Sequence, residues 1–149
     1  MICSLTKEGI FNPGSSRIKI FQDRAKGLDV ASFCQRCDSA PCIDACPMDA
    51  LRRNRDTNTI VVESETCIGE KCLNCTLECP YGAINWDIAC NSIISCDLCG
   101  GDPECVKNCQ PRALLFEECD ATEVQEQENE LQRLLRPFVE FHRAEGKEV

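Results

Sequence analysis

The chain has 149 residues and fifteen cysteines, about a tenth of its length, while aromatic residues make up only 5%. With the cysteines set aside the apolar share is about a third, too little for apolar burial alone to hold a chain of this size. A net charge of −9 argues against a nucleic-acid binder, which needs a basic footprint.

The charge is uneven: residues 1–60 carry +2 and residues 61–149 carry −11, which reads either as two differently solvated faces or as a polarised docking surface. The opening residues Met1 to Gly9 lack the basic and apolar stretches of a secretion signal, and no apolar run approaches a membrane span. A cytoplasmic, thiol-reducing setting is therefore expected, with metal rather than disulfides supplying the cross-links.

In chain order, Ile18–Phe21 alternates like a strand. The first cysteine phrase follows: Cys34, Cys37, Cys42 and Cys46-Pro47, spaced C-x2-C-x4-C-x3-C-P. Leu51 and Thr59–Glu63 flank the turn-forming run Asn54–Asn58 and are expected to make a hairpin. A second phrase, Cys67, Cys72, Cys75 and Cys79-Pro80, is spaced C-x4-C-x2-C-x3-C-P and leads into a short strand at Ala83–Trp86. A third, Cys96, Cys99, Cys105 and Cys109, is spaced C-x2-C-x5-C-x3-C with its proline displaced to Pro111, and leads into a strand at Leu114–Phe116. Each unit thus reads as a cysteine loop, a helical turn and a strand.

From Thr122 the texture is helical. Thr122-Glu-Val-Gln125 has the form of a capping box with Thr122 as the N-cap, and Leu131, Leu134, Leu135 and Phe138 recur at helical spacing. Pro137 should kink or end this helix, with Val139 and Phe141 prolonging its apolar strip. The helix either packs on its own domain or is an arm laid on a partner. Residues 146–149 are expected to fray. The division expected is 1–118 for the cysteine-rich domain and 119–149 for the helical extension.

Three closely spaced cysteines on a tight loop can wrap one face of an iron–sulfur cubane, while a fourth on the following helical turn points away. The proline after it cannot continue that turn. In two-cluster ferredoxins the fourth cysteine ligates the other cluster, knitting two phrases into one pseudosymmetric unit. Zinc is the competing reading, but zinc sites favour paired cysteines with a longer spacer, and the single histidine, His142, lies far from the phrases in a charged tail. His142 has no catalytic partner nearby, no phosphate-binding loop is present, and no catalytic site is expected. Gly100 and Gly101 read as places where backbone passes close to a cluster.

The run Cys96-Asp-Leu-Cys99-Gly-Gly-Asp-Pro-Glu-Cys105-Val-Lys, together with Cys3-Ser-Leu-Thr-Lys-Glu-Gly-Ile-Phe-Asn-Pro13 and Ser16–Ile20, resembles the polyferredoxin-type iron–sulfur subunits of tungsten enzymes of the aldehyde:ferredoxin oxidoreductase family. The resemblance covers residues 3–118. It implies an α+β, ferredoxin-like fold of the bacterial two-cluster type, extended by a third cluster phrase and a C-terminal helix.

By that family's pairing, Cys34, Cys37 and Cys42 join Cys79 on one [4Fe-4S] cluster. Cys67, Cys72 and Cys75 join Cys46 on a second, and Cys96, Cys99 and Cys105 join Cys3 on a third, at one end of the relay. This chain begins two residues before Cys3, where the family has three further cysteines, so the resemblance implies that the cluster completed by Cys109 is missing. Cys90, Cys109 and Cys119 are then left over as small buried fillers, with Gln110 in place of proline marking a phrase relaxed from ligation. Two alternatives stay open: Cys109 ligates its own phrase's cluster and Cys3 is spare, or Cys90, Cys109 and Cys119 help build a fourth.

A three-cluster subunit of this kind resembles the small iron–sulfur subunits of class II benzoyl-CoA reductases. The implied partners are a large tungsten-containing catalytic subunit and a further redox subunit or ferredoxin. Other aldehyde oxidoreductase-type complexes and a free-standing polyferredoxin are the alternatives. The acidic chain favours low potentials, and the apoprotein should be largely unfolded.

Overall fold

The computed structural model describes residues 1–117 and 120–145. Three two-stranded antiparallel hairpins carry the chain: β1 (Lys19–Asp23) with β2 (Leu28–Ser32), β3 (Leu51–Arg53) with β4 (Ile60–Val62), and β5 (Asn85–Asp87) with β6 (Ser92–Ile94). Each turns by one chemical device. An Asp or Asn at its start accepts backbone N–H groups: Asp23 from Ala25 and Lys26, Asn54 from Asp56 and Thr57, Asp87 from Ala89. Four residues on, Gly27, Asn58 or Asn91 takes the left-handed conformation (φ 63°, 56° and 51°) that these residue types tolerate best.

Short helices separate the hairpins. α1 (Ile2–Glu8) ends at Gly9, whose φ of 70° lets its N–H return to the Leu5 carbonyl. α2 (Pro41–Asp44), α3 (Asn74–Glu78) and α4 (Glu104–Lys107) lie inside the three cysteine phrases. α2 packs on α3, and α1 on α4. The fold is α+β and ferredoxin-like, and among the described residues no helix is long and apolar enough to cross a membrane.

The core has two parts. One gathers Ala50, Leu51, Ile60, Ile84, Trp86 and Ile93 around the thiols of Cys34, Cys42 and Cys75. The other packs Phe21, Val30, Tyr81, Ala83 and Cys79 against α5 (Ala121–Glu145), through Leu131, Leu134, Leu135, Phe138 and Val139. Leu135 is fully buried, and the Phe21 and Phe138 rings lie 5.5 Å apart. α5 is therefore packed on its own domain.

Four expectations change. Leu114–Phe116 is not a strand: the segment is irregular and exposed, and among the described residues no strand follows to pair with it. The α5 cap is Asp120, whose carboxylate accepts the Thr122 and Glu123 amides at 2.9 Å, two residues before the Thr122 expected; an Asp caps at least as well. Pro137 does not end α5, because the buried Leu135 and Val139 hold both sides of it to the core. Cys90 is exposed and Cys109 half-buried, so neither is a buried filler. The expectations for Cys119, for the His142 side chain and for residues 146–149 lie outside the described residues.

Candidate metal centres

The three phrases share a backbone as well as a spacing. Two residues after the first cysteine of each, the chain turns left-handed, at Arg36 (φ 58°), Gly69 (φ 64°) and Leu98 (φ 53°). Three residues after the last cysteine it does so again, at Asp49 (φ 50°), Gly82 (φ 59°) and Arg112 (φ 54°). Such reversals turn successive N–H groups inward and make concavities suited to anionic centres. Gly100 and Gly101, at φ 77° and 106°, answer the same left-handed demand, with open space where a Cβ would stand.

Two recesses open between the phrases. The first, site I, is lined by Cys34, Cys37, Cys42 and Cys79, with Pro80, Tyr81, Ile60 and Ile84 around them. The second, site II, is lined by Cys46, Cys67, Cys72 and Cys75, with Pro47, Gly69, Leu51 and Ile93. The space between atoms comes to about 300 Å³ in each, solvent at the mouth included. Each recess takes three thiols from one phrase and the fourth from the Cys-Pro of the other. α2 and α3 carry out this exchange: each begins just after a left-handed residue, Ala40 or Leu73, and the chain leaves α3 in extended form at Cys79.

A third group, site III, is looser. Cys3 on α1 lies within electrostatic reach of Cys96 and of Cys105, and Cys105 of Cys99. All four are half-buried. The Lys7 ammonium meets the Asp97 carboxylate at 2.5 Å and ties α1 to the third phrase. Burial works to raise the Asp97 pKa, but the Lys7 hydrogen bond and the Cys99 amide prevail and hold it below the usual value. Charges are felt between Cys42 and Cys75 and between Cys96 and Cys34, so site I lies between the other two.

The donor chemistry fits a polynuclear iron–sulfur centre. Burial, then the neighbouring thiolates, pushes Cys42 and Cys75 up to about 12 and Cys37 and Cys96 up to about 11. So many thiols are brought together only at an electrostatic cost, which a cationic metal core reverses by deprotonating its ligands outright. Backbone donors already point at the sulfurs: Ala50 to Cys46 and Ala83 to Cys79 at 3.3 Å, and Arg17 to Cys3 at 3.4 Å. Cys109 keeps the turn seen after Cys46 and Cys79, with the Arg112 amide 2.9 Å from its carbonyl, so the loss of proline at 110 has not relaxed the backbone. Among the described residues no amide donates to its sulfur.

The comparisons with known proteins agree with this chemistry. Residues 26–119 match the model of the 4Fe-4S dicluster domain. The chain belongs to that family. It is 41% identical over 107 residues to the aliphatic sulfonate oxidoreductase, polyferredoxin-like subunit, of Pyrococcus furiosus, covering 72% of this chain and 60% of that one. It is 32% identical over 114 residues to the NADH-dependent phenylglyoxylate dehydrogenase subunit beta of Aromatoleum evansii, covering 75% of this chain and 25% of that one. A probable anaerobic dimethyl sulfoxide reductase chain of Escherichia coli is 36% identical over 89 residues, covering 56% and 42%. The chain thus spans less than two thirds of the length of each of these relatives. Cys3 and all of α5 lie outside the matched stretch.

Three contributors escaped the sequence reading. Arg53 reaches back from β3 to the carbonyls of Arg36, Cys37 and Asp38, at 2.5 to 3.4 Å, and braces the first cysteine loop. Lys7 braces the third. Tyr81 is buried between Cys79 and α5, and burial, then the Cys37 charge, pushes its phenol up to about 12.

Proposed function

We propose that this chain is an electron-relay subunit holding three [4Fe-4S] clusters: site I on Cys34, Cys37, Cys42 and Cys79, site II on Cys67, Cys72, Cys75 and Cys46, and site III on Cys96, Cys99, Cys105 and Cys3. The observation that carries the reading is the pair of recesses, each ringed by three cysteines of one phrase and the Cys-Pro cysteine of the other. A cluster bound there takes up and gives on one electron at a time. The chain's own work is to hold the sites side by side, to keep water off the inner two and to aim amides at the sulfurs.

The partner in this reading is a large tungsten-containing catalytic subunit, with a further redox subunit or ferredoxin at the other end and class II benzoyl-CoA reductase as the complex. The identity to the aliphatic sulfonate oxidoreductase subunit favours a second reading, membership of a complex acting on another substrate.

Iron and acid-labile sulfide in anaerobically prepared protein should come to about twelve of each per chain, four for each cubane; about eight would remove site III, and zinc without iron would end the reading. Cys3→Ser should alter one cluster's electron paramagnetic resonance signal and Cys109→Ser none. Co-purification with a large tungsten-bearing chain from the native cell tests the partner, and turnover of benzoyl-CoA against sulfonates by that complex separates the two readings.

A further inference from the structure

Helix α5 lies outside the stretch that matches the dicluster family, yet its buried face lies against site I. Leu131, Leu135, Phe138 and Val139 form a stripe that shares one core cluster with Tyr81 and Cys79, with Cys37 at its edge. Continued one turn toward the helix start, that stripe reaches position 128, seven residues before the fully buried Leu135 and on the same face. An apolar residue belongs there, but the residue is Glu128. It is half-buried, whereas Gln125–Gln127 before it and Asn129 and Glu130 after it are exposed. Its carboxylate lies near enough to Cys37 and to Tyr81 for its charge to be felt at both, and Gln132, one turn on, hydrogen-bonds with Tyr81.

We propose that Glu128 is a positioning residue for charge at site I: α5 brings a fixed carboxylate to the rim of the Cys34, Cys37, Cys42 and Cys79 set and makes an electron harder to place there. This rests on the reading that site I holds a cluster. The opposing group is Arg53, whose guanidinium sits on the carbonyls of Arg36, Cys37 and Asp38. Glu128 and Arg53 thus bring opposite charges to the Cys37 loop. A carboxylate in a partly desolvated position acts across several ångströms far more strongly than one in water. The Glu128 charge is felt at Cys37, so the effect falls on the middle site.

The test is a redox titration of the cluster-loaded full chain, followed by electron paramagnetic resonance at fixed ionic strength. Glu128→Gln keeps the shape and removes the charge. It should raise one midpoint by a three- to tenfold change in the ratio of reduced to oxidised cluster, at most about 59 mV for one electron. Glu128→Asp should restore most of the wild-type value. Glu126→Gln, an exposed neighbour, should leave every midpoint in place. The signal that moves should be the one altered in Cys37→Ser. Midpoints unmoved in an iron-loaded Glu128→Gln protein, or moved equally by Glu126→Gln, overturn this inference and leave the cluster reading standing. Wild-type protein that takes up no iron overturns the cluster reading itself.

Discussion

Sites I and II are built into each other, whereas site III is assembled from one phrase and a helix at the far end of the sequence. The first two are backed by hairpins β3–β4 and β5–β6, and the thiols of Cys34, Cys42, Cys75 and Cys79 are buried among Leu51, Ile60, Ile84 and Tyr81. The third phrase has the same kind of spacing and the same left-handed turns, but its four thiols are half-buried and the chain after it is exposed, with Leu115 at 72%. The phrase alone therefore gathers sulfur. Shielding comes from the strand pair that follows it, and site III lacks one.

The contrast breaks most completely on removal of metal. In sites I and II the thiols of Cys34, Cys42, Cys75 and Cys79 are part of the apolar core, so without a centre to bind, that core is left holding desolvated donors. Chelation of iron should abolish most of the cooperative structure, as in other small domains whose folding is coupled to metal. Site III, half-exposed, should give up its iron first, with its resonance signal fading before those of sites I and II. Circular dichroism and proteolysis during chelation follow the loss. An apoprotein that keeps β3–β4 and β5–β6 protected would show that apolar packing holds the inner sites by itself.

A smaller perturbation separates sites II and III. Gly69 lines site II at φ 64°, and a Cβ there would stand 2.9 Å from Cη2 of the buried Trp86 ring. The left-handed backbone costs a side-chain-bearing residue about 1–2 kcal/mol. Displacing a packed indole adds roughly 1–3 kcal/mol. Gly69→Ala should therefore lower the stability of the loaded protein by about 2–5 kcal/mol in denaturant titration and disturb site II, leaving site III unchanged. A change within a few tenths of a kcal/mol would mean that the phrase can open without moving the ring.

How far the sequence could be read follows from the same contrast. Ligand spacing is imposed by a rigid inorganic body and must be written in the chain, so the phrases stand out, and the recesses gather thiols from alternate phrases. The strand at Ile60–Val62 and the hairpin it makes with Leu51 were legible from β-branched residues and an Asn-rich turn. β2 and β6 were not: Leu28–Ser32 and Ser92–Ile94 are short and mixed, though the Asp or Asn at the turn start and the Gly or Asn four residues on were present as a signal. α1 has only seven residues and no side-chain cap. Leu114–Phe116 looks like a strand because its residues suit one, but a strand needs a partner. Lys7, Arg53 and Glu128 act on cysteine loops remote in sequence, and no local pattern announces such a contact.

The finest test of the contrast is the Lys7–Asp97 pair. α1 owes its place at site III to packing on α4 and to this bridge, and nothing comparable is needed at sites I and II, which the hairpins close. Lys7 is mostly covered but Asp97 is 43% exposed, so solvent screens the pair, and its loss should cost no more than about 1 kcal/mol. Lys7→Ala should then leave the unfolding midpoint almost in place. Its effect belongs to one site: faster loss of the cluster that Cys3→Ser alters, with the other two unchanged, in a timed exposure to chelator. Equal rates for all three would mean that α1 is held by its packing, and that Asp97 serves the third phrase only through its hydrogen bond to the Cys99 amide at 3.1 Å.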